Sequence, residues 1–312
     1  MNPLAWIGAR AQWALAIGVC AALILPGPGE ALSGTVTFWV ALLFGLAMTR
    51  IDLGAIARRA VGPKRLVRNF AILVLLMAVT PALAYTVASG IGLSPRLIEA
   101  LVFTTSAPPL GSATAFCLML GLDAAFALEL TVLGSMVAPI TMPVVTRALL
   151  GEALPVQPLT MLTNLGVLIG GATLAAVIAR HVLGAAWIDR NRLSFDGTAS
   201  IILVLFLFPL FHGMTDLIRL EPVFAVIALA AAIVANLGVQ IVSFQATRRT
   251  HGRDSGGAIS LVWGNRNAAL TLAFLPDAPL ITLYIALYQF PMYFTPLVMR
   301  IFVGGPRDRA SA

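Results

Sequence analysis

Charge is scarce in this sequence. Of its 312 residues only 11% are Asp, Glu, Lys or Arg, about half the usual share for a soluble globular domain. A soluble surface cannot be built from so little charge. No polar segment is long enough to make a separate soluble domain, and the longest candidates, 52–68 and 188–196, read as loops. Cysteine is nearly absent. Cys20 and Cys117 both lie in apolar stretches; two such residues make no disulfide framework and no metal-type spacing, so they read as small buried apolar side chains. The chain also lacks a paired-Asp motif, a His/Glu metal spacing and a serine with a plausible base, which argues against an intramembrane enzyme. No metal and no cofactor is expected.

What is abundant is apolar sequence, at 59% of residues. A helix needs about 20 mostly apolar residues to cross the hydrocarbon core. Windows of that kind recur near 11–26, 31–51, 69–90, 97–121, 124–146, 159–183, 197–218, 222–247, 255–276 and 278–302. They are uniformly apolar and lack the period-2 alternation of barrel strands, so the expected fold is an all-α integral membrane protein of about ten transmembrane helices. Arg10 followed by an apolar run has the outline of a signal peptide. The Pro26-Gly27-Pro28-Gly29 loop signal and the lack of a small-x-small site favour a retained first span.

The net charge of +7 does not point to nucleic acid, because the basic residues sit in short segments between spans rather than on a folded polar face. With the N-terminus inside, the inside segments hold Arg10, Arg50, Arg58, Arg59, Lys64, Arg65, Arg68, Arg180, Arg190, Arg192, Arg248, Arg249, Arg253, Arg300, Arg307 and Arg309. The outside segments hold only Arg96, Arg147 and Arg219. Sixteen against three is the positive-inside pattern. It places both termini in the cytoplasm, and the expected location is a bacterial inner membrane. The run from Arg58 to Arg68 could attract anionic lipid, but its main reading is topogenic.

Five spans precede residue 151 and five follow it, so a repeat of 1–150 in 151–312 would be inverted across the membrane. Pro139 and Pro143 of the fifth span match Pro291 and Pro296 of the tenth, and Pro108-Pro109-Leu110-Gly111 of the fourth span matches Gly264-Asn265-Arg266-Asn267 of the ninth. Gly111 and Gly264 are 153 residues apart, as are Pro143 and Pro296. Pro108-Pro109 should break a helix, and a Gly-Asn-Arg-Asn tetrapeptide amid apolar sequence should do the same. Broken backbone at membrane depth is tolerated only where it lines a cavity or is buried in protein. Paired breaks at corresponding places in two halves are the best sequence pointer to a transport site.

At these residues the chain resembles the bile acid:sodium symporter family. Ser106-Ala107-Pro108-Pro109-Leu110-Gly111-Ser112-Ala113-Thr114 is similar to the family's Cys-Pro-Gly-Gly-x-x-Ser-Asn segment, and Val262-Trp263-Gly264-Asn265-Arg266-Asn267 to its Glu-x-Gly-x-Gln-Asn segment. The resemblance implies two inverted five-helix repeats with discontinuous helices 4 and 9 that cross. It also implies a panel of helices 1, 2, 6 and 7 beside a core of helices 3–5 and 8–10. The departures are informative. The family's sodium-binding Glu falls on Val262 and its Gln on Arg266, the fourth-helix Ser and Asn on Ala113 and Thr114, the third-helix Gln near Leu76, and a fifth-helix Ser on Ala127, while Thr131 is kept. The resemblance thus implies a divergent member without classical two-sodium coupling.

Two ionisable residues lie well inside the spans, Arg266 and Glu129. A charge there costs at least about 2.5 kcal/mol. Arg266 reads as a fixed positive charge that replaces a bound cation or receives an anionic substrate; the alternative is a structural partnership with Glu129 or with carbonyl oxygens. Glu129 either faces inner-side water near Asp123 or pairs with Arg266 as a protonation switch. The candidate binding residues are therefore Arg266, Asn265, Asn267, Gly264, Thr114, Ser112, Thr131 and Glu129, with helix breaks at Pro108, Pro109 and Gly111. His212 reads as interfacial. Asn164, Asn236, Gln240 and Gln289 read as polar residues bonding neighbouring helices. Trp13, Tyr284 and Tyr293 read as interfacial or packing residues. The expected function is alternating-access transport of a small organic anion whose partners are that solute and the lipid bilayer. Alternatives are a sodium-coupled anion symporter, an arsenite-type oxyanion permease using Cys117, and a non-transporting membrane sensor.

Overall fold

The structure is a computed structural model that describes residues 2–10, 14, 17, 18, 21, 22, 29–60, 62–154, 156–275 and 278–304. Most of the first span (11–26), with Trp13 and Cys20, and Arg307 and Arg309 lie outside the described residues. The described chain is helical throughout, apart from its connections and one isolated β-bridge.

Ten helices carry the argument: α1 (Val36–Thr49), α2 (Pro63–Gly90), α3 (Pro95–Ser106), α4 (Ser112–Leu120), α5 (Ala124–Leu150), α6 (Pro158–Leu183), α7 (Arg192–Phe211), α8 (Pro222–Thr247), α9 (Gly252–Gly264) and α10 (Pro279–Val303). Among the described residues, six of these (α2, α5, α6, α7, α8 and α10) are long and apolar enough to cross a membrane. This is a multi-pass helical membrane protein.

The two stretches read as loops, 52–68 and 188–196, are corrected: Leu53–Ala60 and Ala185–Arg190 are short helices, and α2 and α7 begin at Pro63 and Arg192. Basic side chains keep a segment out of hydrocarbon, but they do not keep it from being helical. The seventh span ends early, at Phe211, because Gly213 adopts φ +71° before a new helix at Met214–Leu220.

Burial separates centre from periphery. In the most apolar window of each helix, 61% of α10 and 50% of α5 is buried, against 28% of α2, α6 and α8. The half-helices α3 and α9 are buried almost throughout their second halves. Outward-facing side chains such as Val167, Val182 and Ile301 are about three-quarters exposed, as an apolar lipid-facing surface requires. On the other flank, α1 packs against α6 and α7. The N-terminal helix Pro3–Gly8 rides on α7 with glycines at the contact: a Cβ on Gly8 would strike the Leu193 carbonyl, and one on Gly197 the Leu4 carbonyl. Small residues let membrane helices approach this closely.

Both α2 and α8 contain a π-turn near their middle, at Leu75–Val79 and Val234–Gly238. The first has a clear consequence. The Thr80 amide bonds back to the Leu75 carbonyl, so the Leu76 carbonyl loses its usual i+4 donor. Its i+5 neighbour is Pro81, which has no N–H. One main-chain oxygen is therefore freed at membrane depth.

Candidate functional site

The two helix breaks fall where the sequence predicts them, and they meet. α3 stops at Ser106, Ala107 turns to an extended conformation, and α4 starts at Ser112. α9 stops at Gly264, Asn265 is extended, and a 3-10 turn follows at Ala268–Ala273. The two extended pieces lie antiparallel, with Pro109 opposite Arg266. The Leu110 amide donates to the Asn265 carbonyl at 2.9 Å, and the Asn267 amide donates to the Pro108 carbonyl at 2.8 Å. Two breaks that would each strand polar backbone in an apolar setting thus satisfy one another.

Glycines allow the crossing to be this tight. A Cβ on Gly264 would run into the Asn236 carbonyl and the Gln240 side chain, and one on Gly134 of α5 would come within 2.8 Å of the Pro109 ring. Gln240 and Asn236 belong to a buried polar network that clamps the second break. Asn236 Nδ2 donates to the Gly264 carbonyl at 2.7 Å, and the Tyr288 hydroxyl donates to the same oxygen. Thr295 Oγ1 donates to Asn265 Oδ1 at 3.2 Å, and Asn265 Nδ2 donates to the Leu261 carbonyl at 2.8 Å. Gln240 Nε2 donates to Asn236 Oδ1 at 2.9 Å and to Thr295 Oγ1 at 3.1 Å.

Arg266 is 2% exposed. Its Nε donates to the Trp263 carbonyl at 2.7 Å, its Nη1 to the Ala107 carbonyl at 3.1 Å, and its Nη2 to the Leu76 carbonyl at 2.8 Å. The last of these is the oxygen released by the π-turn. Of the two partnerships open to Arg266, the structure has the one with carbonyls. Glu129 is elsewhere: buried on α5, it holds Arg65 of α2 (Nη2–Oε2 3.0 Å) and accepts from Asn69 Nδ2 at 2.5 Å. The protonation switch between Glu129 and Arg266 and the water-facing Glu129 are both replaced by this pair.

A cavity of about 280 Å³ lies between the crossing and the pair α1/α7, near the lower end of the range for small-molecule sites. One wall is apolar and comes from α1 and α7, with Val40, Phe44, Leu203 and Phe206. The other is formed by Pro109, Gly111, Ser112, Arg266 and Asn267 of the breaks, Thr131 and Ser135 of α5, and Gln289 and Tyr293 of α10. Arg50 and Asp196, which form an ion pair at the ends of α1 and α7, also line it. Four of the lining residues, Ser112, Thr131, Ser135 and Tyr293, carry buried oxygens that make no hydrogen bond among the described residues, polar atoms left unsatisfied beside the cavity.

No protein-family model matches the chain, and no curated protein matches it.

Of the candidates read from sequence, Arg266, Asn267, Ser112, Thr131, Pro109 and Gly111 line the cavity. Asn265 and Gly264 stand behind it in the clamp. Thr114, whose hydroxyl also has no hydrogen bond among the described residues, lies off the lining, as does buried Cys117. Gln289 lines it, whereas Asn164 bonds the Ala273 carbonyl at 3.2 Å. His212 is exposed after the end of α7, and Tyr284 packs in the core. Sequence reasoning missed Ser135, Tyr288 and Thr295, and it read Tyr293 as interfacial or packing. A four-residue spacing along α5 and the polar residues among the apolar side chains of α10 were the available signals.

Proposed function

We propose that this protein is a secondary transporter of a small organic anion that works by alternating access. The observation that carries this reading is the cavity between the α1/α7 pair and the crossed helix breaks, with a buried guanidinium and unpartnered hydroxyls on one wall and apolar side chains on the other. A guanidinium near the lining and the positive end of the α4 dipole both favour an anion. The apolar wall favours a solute with a hydrocarbon part, and the volume favours a small one. Within this reading the chain is a divergent member of the bile acid:sodium symporter family, with two inverted five-helix halves. Supporting that are the crossed breaks, the recurrence of a π-turn in α2 and α8, and the proline pairs Pro139, Pro143 and Pro291, Pro296 inside α5 and α10. The apolar or cationic residues at Val262, Ala127 and Arg266 favour transport without two-sodium coupling. With Cys117 off the cavity, nothing favours an arsenite-type thiol site.

The test is a thermal-stability screen of the purified protein against small mono- and dicarboxylates, matched neutral amides and inorganic oxyanions, followed by counterflow of the best solute in proteoliposomes. Saturable stabilisation by one carboxylate class, with exchange of that class, is expected. Stabilisation only by neutral solutes, or binding without exchange, would overturn the proposal.

A further inference from the structure

Arg266 has donors enough for an anion, yet three of them are spent on main-chain oxygens from three separate elements. The Ala107 carbonyl lies just past the C-terminus of α3, the Trp263 carbonyl in the last turn of α9, and the Leu76 carbonyl in the π-turn of α2. Helix C-termini carry partial negative charge, and here two of them converge on one buried point. Among the described residues no carboxylate pairs with Arg266. Among the described residues its side-chain hydrogen bonds all go to carbonyl oxygens, the ligands with which proteins hold small cations stripped of water.

We infer that the three carbonyls form a monovalent-cation site, and that the Arg266 guanidinium is its covalently tethered occupant. The neutral ligand set suits a single positive charge, since a divalent ion would demand carboxylates. Leu76 is the most telling member: its carbonyl is free only because the π-turn removes one donor and Pro81 cannot supply the next. The position needs a cation in every state in which the crossing is intact. A tethered cation meets that need without taking one from solution. As a consequence, which rests on the transport reading, solute movement is independent of sodium. The binding argument itself does not rest on that reading.

The test removes the tether and offers the ion back. The purified wild type and Arg266→Ala are melted in choline, sodium, potassium and guanidinium chlorides at constant ionic strength, with guanidinium in the millimolar range, far below denaturing concentrations. The wild type is expected to respond to none of them specifically. Arg266→Ala is expected to melt lower in choline by roughly 5 °C or more and to recover saturably with guanidinium. Sodium or potassium would do the same if the oxygens close around a smaller ion. A wild type with its own saturable sodium shift, or an Arg266→Ala protein that is indifferent to every cation, would overturn the inference. Should Arg266→Ala fail to fold, Arg266→Lys and Arg266→Met decide: a charged ammonium is expected to preserve stability that the neutral thioether loses, and equal melting of the two would sink the idea. Carboxylate binding is measured on the same wild-type sample, so failure of the transport reading leaves this outcome readable.

Discussion

Leu76 and Arg266, 190 residues apart in sequence, are joined because a π-turn in one helix leaves a carbonyl unclaimed and a break in another brings a guanidinium to it. The contact ties α2 to the crossing between two buried residues, Leu76 fully buried and Arg266 2% exposed.

Gly264→Ala is expected to destabilise the protein by about 1–3 kcal/mol, the range for overpacking a filled interior, because the added methyl meets the Asn236 carbonyl and Gln240. Gly170→Ala, on α6 with open space around it, is expected to be neutral or to stabilise by up to about 1 kcal/mol. Parallel denaturation of both variants checks the contrast; similar losses would show that the crossing is not closely packed.

The Arg65–Glu129 pair is lopsided. The Arg65 side chain is 33% exposed and that of Glu129 1%. Removing Glu129 leaves a cation that can turn to water; removing Arg65 leaves a carboxylate that cannot. Arg65→Met is therefore expected to cost about 3 kcal/mol, the figure for an uncompensated buried charge, and Glu129→Met about 1 kcal/mol. The order of the two unfolding free energies is the measurement.

Thr131→Val and Ser135→Ala remove hydroxyls that bond nothing among the described residues. Folding stability should stay the same or rise by up to about 1 kcal/mol, since a desolvated polar group is deleted. Solute affinity should fall tenfold or so, the worth of about one hydrogen bond of 1.4 kcal/mol. Melting and binding curves on the same samples separate the two effects. A stability loss with unchanged affinity would assign these hydroxyls to the scaffold.

Ala47 lies on the cavity wall opposite Gly111. In a protein with Cys20→Ser and Cys117→Ser, a thiol introduced by Ala47→Cys should react with a membrane-impermeant maleimide from the side bearing Arg50 and Asp196. Transported solute should slow that reaction. Labelling only from the opposite side would show that the cavity opens there instead.

Much of this arrangement is legible in the sequence. Pro108-Pro109 and Gly264-Asn265-Arg266-Asn267 announce their breaks because proline and a polar tetrapeptide cannot continue an apolar helix, and charge scarcity announces the membrane. Less visible is anything made by main chain. Leu75–Val79 is an unbroken apolar run, so the π-turn and the Leu76 carbonyl leave no side-chain trace. The partner of Glu129 is hidden for a different reason. Arg65 sits in a basic stretch that reads as a connection, whereas α2 starts at Pro63 and carries Arg65 back over α5. Tyr288 and Thr295 are disguised by the apolar helix that holds them.

The link between the two breaks is fastened chiefly by peptide groups, Leu110 to Asn265 and Asn267 to Pro108, with one side-chain bond beside them, from Arg266 to the Ala107 carbonyl. Scaffold and chemistry are thereby largely separable at this point. Cavity residues that neither cross nor clamp the breaks, such as Thr131 and Ser135, can be rewritten without unfastening the main-chain link, so an engineer can alter what the cavity recognises while leaving the fastening alone.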